Sequence, residues 1–190
     1  MARAYTLKRR AEQQAETRQR IVEAAVDLHG SIGPARTTVS MVAEKAGVQR
    51  HTFYAHFPDE RSLLLACSGL VEERDPFPDP EPWRAIEDRT ERLSAGLDAL
   101  YVWYERHAEL LANVLRDAEH HGPTREVNNL RFAGPGRAIA ETLGAGLNAR
   151  QRALLQLALS FFSWRTLAQA GLKRSEAVAA MVEAIVAAKE

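Results

Sequence analysis

The chain has 190 residues, 46% apolar and 26% charged, with no net charge. That length suits one large domain or two small ones, and the composition is ordinary for a folded globular protein. A single cysteine excludes an internal disulfide framework and fits a reducing compartment, and no apolar run approaches the about 18 residues that span a bilayer.

Charge is unevenly spread. Residues 1–57 carry nine Lys/Arg and five Asp/Glu, whereas residues 58–190 carry 16 and 20. A basic head on an acidic body implies that only the head meets a polyanion. The first residues, "MARAYTLKRRAEQQ", have charges but no apolar region of the secretory kind, so a cytoplasmic protein with no membrane partner is expected.

Ala, Leu, Glu, Arg and Gln dominate and no segment alternates with period two, so the expected fold is all-α, with about nine helices. The first helix is expected to start at about Thr17 or earlier and to reach about His29, with Ile21, Ala25, Leu28 and Ile32 on one face. Gly30 or Gly33 then supplies a left-handed end. Lys8, Arg9 and Arg10 read as a mobile basic arm. A short helix follows, with Thr38 as N-cap and Val39, Val42, Ala43 and Ala46 as its apolar face, closed by Gly47.

The stretch "GVQRHTFYAHF", residues 47–57, reads as a third helix. Phe53 and Phe57, four apart, face inward, while Arg50, His51, Thr52, Tyr54 and His56 fall on the other faces. Two short helices joined at a glycine form a helix-turn-helix, whose second helix enters the major groove. The exposed chemistry suits DNA. Arg50 can donate a bidentate pair to guanine. Thr52 can bond a phosphate or a base edge, Tyr54 and His56 can donate to phosphates, and Thr37 and Thr38 offer hydroxyls and helix-start amides.

A fourth helix carries Leu63, Leu64, Ala66, Cys67 and Leu70, with Cys67 as a small buried side chain. "DPFPDPEP", residues 75–82, is too rich in proline for a helix interior and reads as a linker. In the body, Leu93, Leu97, Leu100, Tyr101 and Tyr104 form a stripe. "HAELLANVLRDAEHH" reads as a shorter helix that stops at Gly122-Pro123, and the next runs from about Thr124 to Leu147, bent at residues 134–136. Residues 151–170 are apolar on nearly every side and read as one helix buried all round. The last helix, about 175–188, has a strip of Val178, Val182, Ile185 and Val186. Such a pair at the C-terminus is expected to join two copies.

The segment "TTVSMVAEKAGVQRHTFYAHFPDERSLL" resembles the DNA-binding segment of the TetR family of transcriptional repressors. The resemblance covers roughly residues 17–70. It implies an N-terminal three-helix domain with a helix-turn-helix, a C-terminal helical domain for ligand binding and dimerisation, and a homodimer on a palindromic operator. It marks Thr38, Arg50, His51, Thr52, Tyr54 and His56 as DNA-facing. The expected division is 1–57 for DNA and 58–190 for ligand and dimer, with 58–74 as connecting helix. Two positions depart from the family pattern: Glu60 stands where a phosphate-binding lysine is common, with Arg61 beside it, and His29 stands where an aromatic is usual.

An enzyme and a nonspecific coating protein are the alternatives to a ligand-responsive regulator. Adjacent His120 and His121 point about 100° apart on a helix and cannot share a metal as i, i+4 residues can, and no catalytic motif is present. The acidic body argues against nonspecific coating of DNA or lipid. No enzyme activity, metal or cofactor is expected. Trp103, Tyr104, His107, Phe132, Phe161 and Trp164, with Phe162, are candidate lining for a mostly apolar, aromatic ligand cavity.

Overall fold

A computed structural model describes the backbone of residues 2–189 and the side chains of residues 8–189. Among the described residues there are eleven α-helices, one 3-10 turn and no strand. The chain packs as two compact units. One comprises residues 1–76 and 112–129, the other residues 77–111 and 130–190.

The first unit contains α1 (Ala2–Ser31), the 3-10 turn Pro34–Arg36, α2 (Val39–Ala46), α3 (Arg50–His56) and α4 (Glu60–Arg74). Helix α1 starts far earlier than Thr17, so Lys8, Arg9 and Arg10 are exposed helical positions rather than a separate arm. The reason is local: the segment is rich in Ala, Arg, Gln and Glu, and Lys8 pairs with Glu12 one turn on. Gly33, not Gly30, adopts positive φ (95°), and Gly30 remains helical. A side chain at Gly33 would collide with Arg116 and Asp117.

Helix α2 is fixed at both ends. The Thr38 hydroxyl accepts from the Met41 amide at 3.3 Å. Beyond Ala46, left-handed Gly47 lets the Val48 amide donate to Ala43 O at 2.9 Å and its own amide to Glu44 O at 3.1 Å. Asp59 caps α4 by accepting from the Ser62 amide at 2.7 Å. Ile21, Val22 and Ala25 from α1, Val42 and Ala46 from α2, Phe53 and Phe57, and Leu63, Cys67 and Leu70 from α4 form one core. Burial pushes the Cys67 thiol up to about 12, which leaves it an unreactive packing group.

In the second unit, α5 (Glu81–Arg84) is a single turn with Pro82 in its first turn, where the missing amide is harmless. It emerges from the proline-rich segment. Helix α6 (Arg89–Arg106), capped by Asp88, buries Leu93, Leu97, Leu100 and Tyr101. Gly96 leaves the space that the Leu143 side chain occupies. Helices α7 (Ala108–Ala118) and α8 (Gly122–Leu143) contribute residues to both units. Gly122 and Pro123 begin α8 rather than end its predecessor, and α8 continues through Pro135. Helix α11 (Arg174–Ala187) lies on α6, and Arg174 donates to Asp98 and Glu105 there at 2.8 and 2.9 Å.

The expected single buried helix over 151–170 is instead two, α9 (Ala149–Ala158) and α10 (Phe161–Gln169). The Tyr101 and Tyr104 hydroxyls donate to Ala158 O (2.9 Å) and Leu159 O (2.7 Å), carbonyls that an unbroken helix would use four residues later. Ser160 takes an extended conformation between them. Burial is one-sided too, since Leu157 is 56% and Phe162 46% exposed. This break and the extra turn α5 account for eleven helices against about nine. The two compact units do not follow the division at residues 57 and 58 expected from sequence. Among the described residues no helix is long and apolar enough to cross a membrane, and no group of three or more His, Cys, Asp or Glu is placed to hold a metal.

Candidate nucleic-acid interface

Helix α3 is only seven residues long, so it cannot hold itself in shape by its own hydrogen bonds. Its position is set by two rings. Phe53 (2% exposed) and Phe57 (1%) enter the core with centroids 5.9 Å apart. Tyr54 stands edge-on to Phe53 at 5.6 Å yet remains 47% exposed, so its ring is steadied while its hydroxyl faces solvent. Arg50 and His51, in the first turn of α3, are exposed. Thr52 and His56 are half-buried, and the Thr52 hydroxyl lies 3.3 Å from His51 Nε2. The interleaving of rings and polar groups thus divides one short helix into an anchored side and an offered side.

Helix α2 presents its beginning beside this surface. Thr37 donates to Gly33 O at 2.8 Å, which leaves its oxygen lone pairs for an incoming donor, and its carbonyl side leads into Thr38, the exposed cap. The Thr38 oxygen is occupied by the Met41 amide, but its hydroxyl proton is uncommitted. The first turn of α4 shows how Glu60 and its neighbour Arg61 are accommodated. Glu60 Oε1 lies 3.4 Å from His121 Nε2, whose Nδ1 lies 2.7 Å from the Thr124 hydroxyl. Arg61 Nε donates to Glu126 Oε1 at 2.7 Å. Both partners come from residues 112–129, a contribution that spacing alone did not reveal. Complementary charge at residues 60, 61, 121 and 126 was the only available signal.

The same segment braces the turn before α2. Asn113 Nδ2 donates to Gly30 O at 2.6 Å, Arg116 Nη2 to Ile32 O at 3.2 Å, and the Ala35 amide donates to Asp117 Oδ2 at 2.9 Å. Buried His29 lies among these elements. Desolvation pulls its pKa down to about 4, against the smaller opposing pull of the Asp117 carboxylate.

The aromatic residues expected to line a ligand cavity do meet, all within the second unit. Trp103 touches His107 (4.5 Å between centroids), Tyr104 (6.1 Å) and Phe132 (5.8 Å). Tyr104 touches Phe161 and Trp164, at 5.5 and 5.7 Å. Phe77 belongs to the cluster as well, 4.9 Å from Trp103 and 5.4 Å from Phe132. Its place was not legible in the sequence because it lies in the proline-rich linker, where no helical period marks a face. Trp103, Tyr104, Phe161 and Trp164 are buried, and Phe132 and His107 are half-buried.

A family model described as bacterial regulatory proteins, tetR family, matches residues 21–67. The HTH-type transcriptional regulator TtgR of Pseudomonas putida is 42% identical over 67 residues, which cover 35% of this chain and 32% of that protein. The chain thus spans about a third of the length of the curated relatives it first matches. Among solved structures, the transcriptional regulator FadR from Bacillus subtilis in complex with stearoyl-CoA superposes with a TM-score of 0.62 at 18% identity, over 90% of this chain and 99% of that one. A tetR-family transcriptional regulator from Streptomyces coelicolor gives 0.59 at 20% identity, over 91% and 80%. At such identities the structural likeness concerns the fold.

Proposed function

We propose that the chain belongs to the tetR family of bacterial regulatory proteins, whose model matches residues 21–67, and that it is a sequence-specific DNA-binding transcriptional regulator of the bacterial cytoplasm. The observation that carries this reading is the division of α3: Phe53 and Phe57 are held in the core while Arg50, His51 and Tyr54 stay exposed. Residues 1–57 form the DNA-binding part, residues 58–74 connect, and the remainder serves ligand and dimer. Arg50 reads guanine O6 and N7. Thr37, Thr38, Thr52, Tyr54 and His56 set the helix on the duplex through phosphates.

The protein acts as a homodimer on a palindromic operator, with half-sites about 34–36 Å apart. The dimer forms through α9–α11. Leu157 and Phe162 are exposed there, as are the small residues Ala184 and Ala187 of α11. The role is repression, relieved by a small apolar or aromatic ligand among Trp103, Tyr104, His107, Phe132, Phe161 and Trp164, with Phe77 as a further wall. The ligand acts by favouring the dimer whose heads are wrongly spaced, a coupling of about 1–3 kcal/mol.

The test is a titration of two variants against operator and scrambled duplex. Arg50→Ala is expected to lose about 1–3 kcal/mol on the operator and much less on the scrambled sequence. Tyr54→Phe is expected to weaken both alike. An equal loss on both duplexes for Arg50→Ala would remove Arg50 from base readout.

A further inference from the structure

A cavity of about 320 Å³ in the first unit is lined by residues of α1 to α4 and opens past exposed Thr38, Tyr54 and Glu60. Its floor is Val42, Phe53, Phe57, Leu63 and Leu64, and its polar wall includes His29. His29 is only 5% exposed, and its ring has no hydrogen-bond partner among the described residues. A neutral imidazole carries one N–H donor and one acceptor nitrogen, so a ring that lines the cavity without a protein partner can bond to what occupies it. Buried polar groups in folded proteins are almost always paired with protein, water or ligand.

The walls limit what could enter. No Lys or Arg lines the cavity, and His29 resists protonation, so nothing there balances an anion. Two acids do line it, but each is engaged: Asp59 caps α4 and Glu60 faces His121. No carboxylate is left over for a cation. What remains is an apolar, two-phenylalanine floor with one buried polar ring and the Thr37, Thr38 and Tyr54 hydroxyls around it. Those three residues are also DNA-facing candidates, so an occupant and a duplex share them.

We propose that this cavity binds a small neutral aromatic molecule carrying one hydroxyl or N–H group, held by His29, and that its occupancy weakens DNA binding. The site is separate from the aromatic cluster of the second unit. Only its effect on DNA rests on the regulator reading. By linkage, DNA weakens the small molecule by the same factor as the small molecule weakens DNA.

The probe is 2-naphthol, titrated into the full chain while the His29 ring signals are followed by NMR and duplex binding by fluorescence anisotropy. Saturable shifts of the His29 signals are expected, together with a loss of DNA affinity of about 5-fold or more. Added operator duplex should reverse the shifts. His29→Phe should abolish the response to 2-naphthol while still binding DNA. Unmoved His29 signals, or a response kept in full in His29→Phe, would overturn the site. Shifts that leave DNA affinity unchanged would overturn the antagonism. Should the protein bind no duplex, the DNA reading falls, while the His29 signals in the unmutated chain still decide the cavity.

Discussion

His29 illustrates how one side chain makes stability depend on pH. In the unfolded chain its ring titrates near 6.5, and in the folded protein near 4, because burial disfavours the charged form. Between those values the unfolded state binds more protons, so stability rises with pH. The contribution is fully present above pH 6.5 and is lost as pH falls through 6.5 towards 4. A shift of this size corresponds to about 3 kcal/mol as an upper bound. Urea unfolding of the parent chain and of His29→Phe, at pH 7 and pH 4.5, is expected to show a smaller acid-induced loss in the variant. A parallel loss in both would assign the acid sensitivity to other groups.

At the scale of the element, the first turn of α4 is where charge has been rearranged. An acid, Glu60, stands on the side where Thr38 and Tyr54 face out, and the neighbouring cation, Arg61, is engaged by Glu126. Both Arg61 and Glu126 are about half exposed, so the pair is weak and can exchange for a phosphate. Glu126→Gln is therefore expected to tighten DNA binding several-fold. The log–log salt dependence should steepen by about 0.9, the mark of one more neutralised phosphate. Arg61→Ala introduced into Glu126→Gln should cancel both changes. A gain that survives Arg61→Ala would mean that Glu126 acts only through its charge.

For the whole molecule, the question is what covers the apolar side chains that a single chain leaves in solvent. Leu157 and Phe162 are large, exposed and close in sequence on either side of the α9–α10 break. In the proposed homodimer a second copy of the chain buries them. Phe162→Glu places a charge where the proposed contact desolvates it, a cost of several kcal/mol. Sedimentation is expected to show a dimer for the parent and a shift toward monomer for Phe162→Glu, with weakened operator binding, since two linked heads no longer act together. An unchanged sedimentation coefficient would move the dimer contact elsewhere.

Periodicity and capping made most of the helices legible, along with the offered side of α3. Those features are local: Phe53 and Phe57 four apart, Thr38 before Val39, Gly47 after Ala46. Each fixes its conformation from neighbours within a turn or two, so no distant contact is needed to read it. Three things required the tertiary structure, and a fourth departure from the sequence reading, the reach of α1, is local. The break after Ala158 depends on hydroxyls of Tyr101 and Tyr104, more than fifty residues away in the chain. The full reach of α1 came from its accumulated helix propensity, which the search for an apolar stripe passed over. Phe77 joined the aromatic cluster from a segment without a period. The brace on Gly30, Ile32 and Ala35, with the partners of Glu60 and Arg61, comes from residues 113–126. A residue's own neighbours decide its backbone and the face it occupies. Which distant donor meets which carbonyl or carboxylate is decided only when the helices pack.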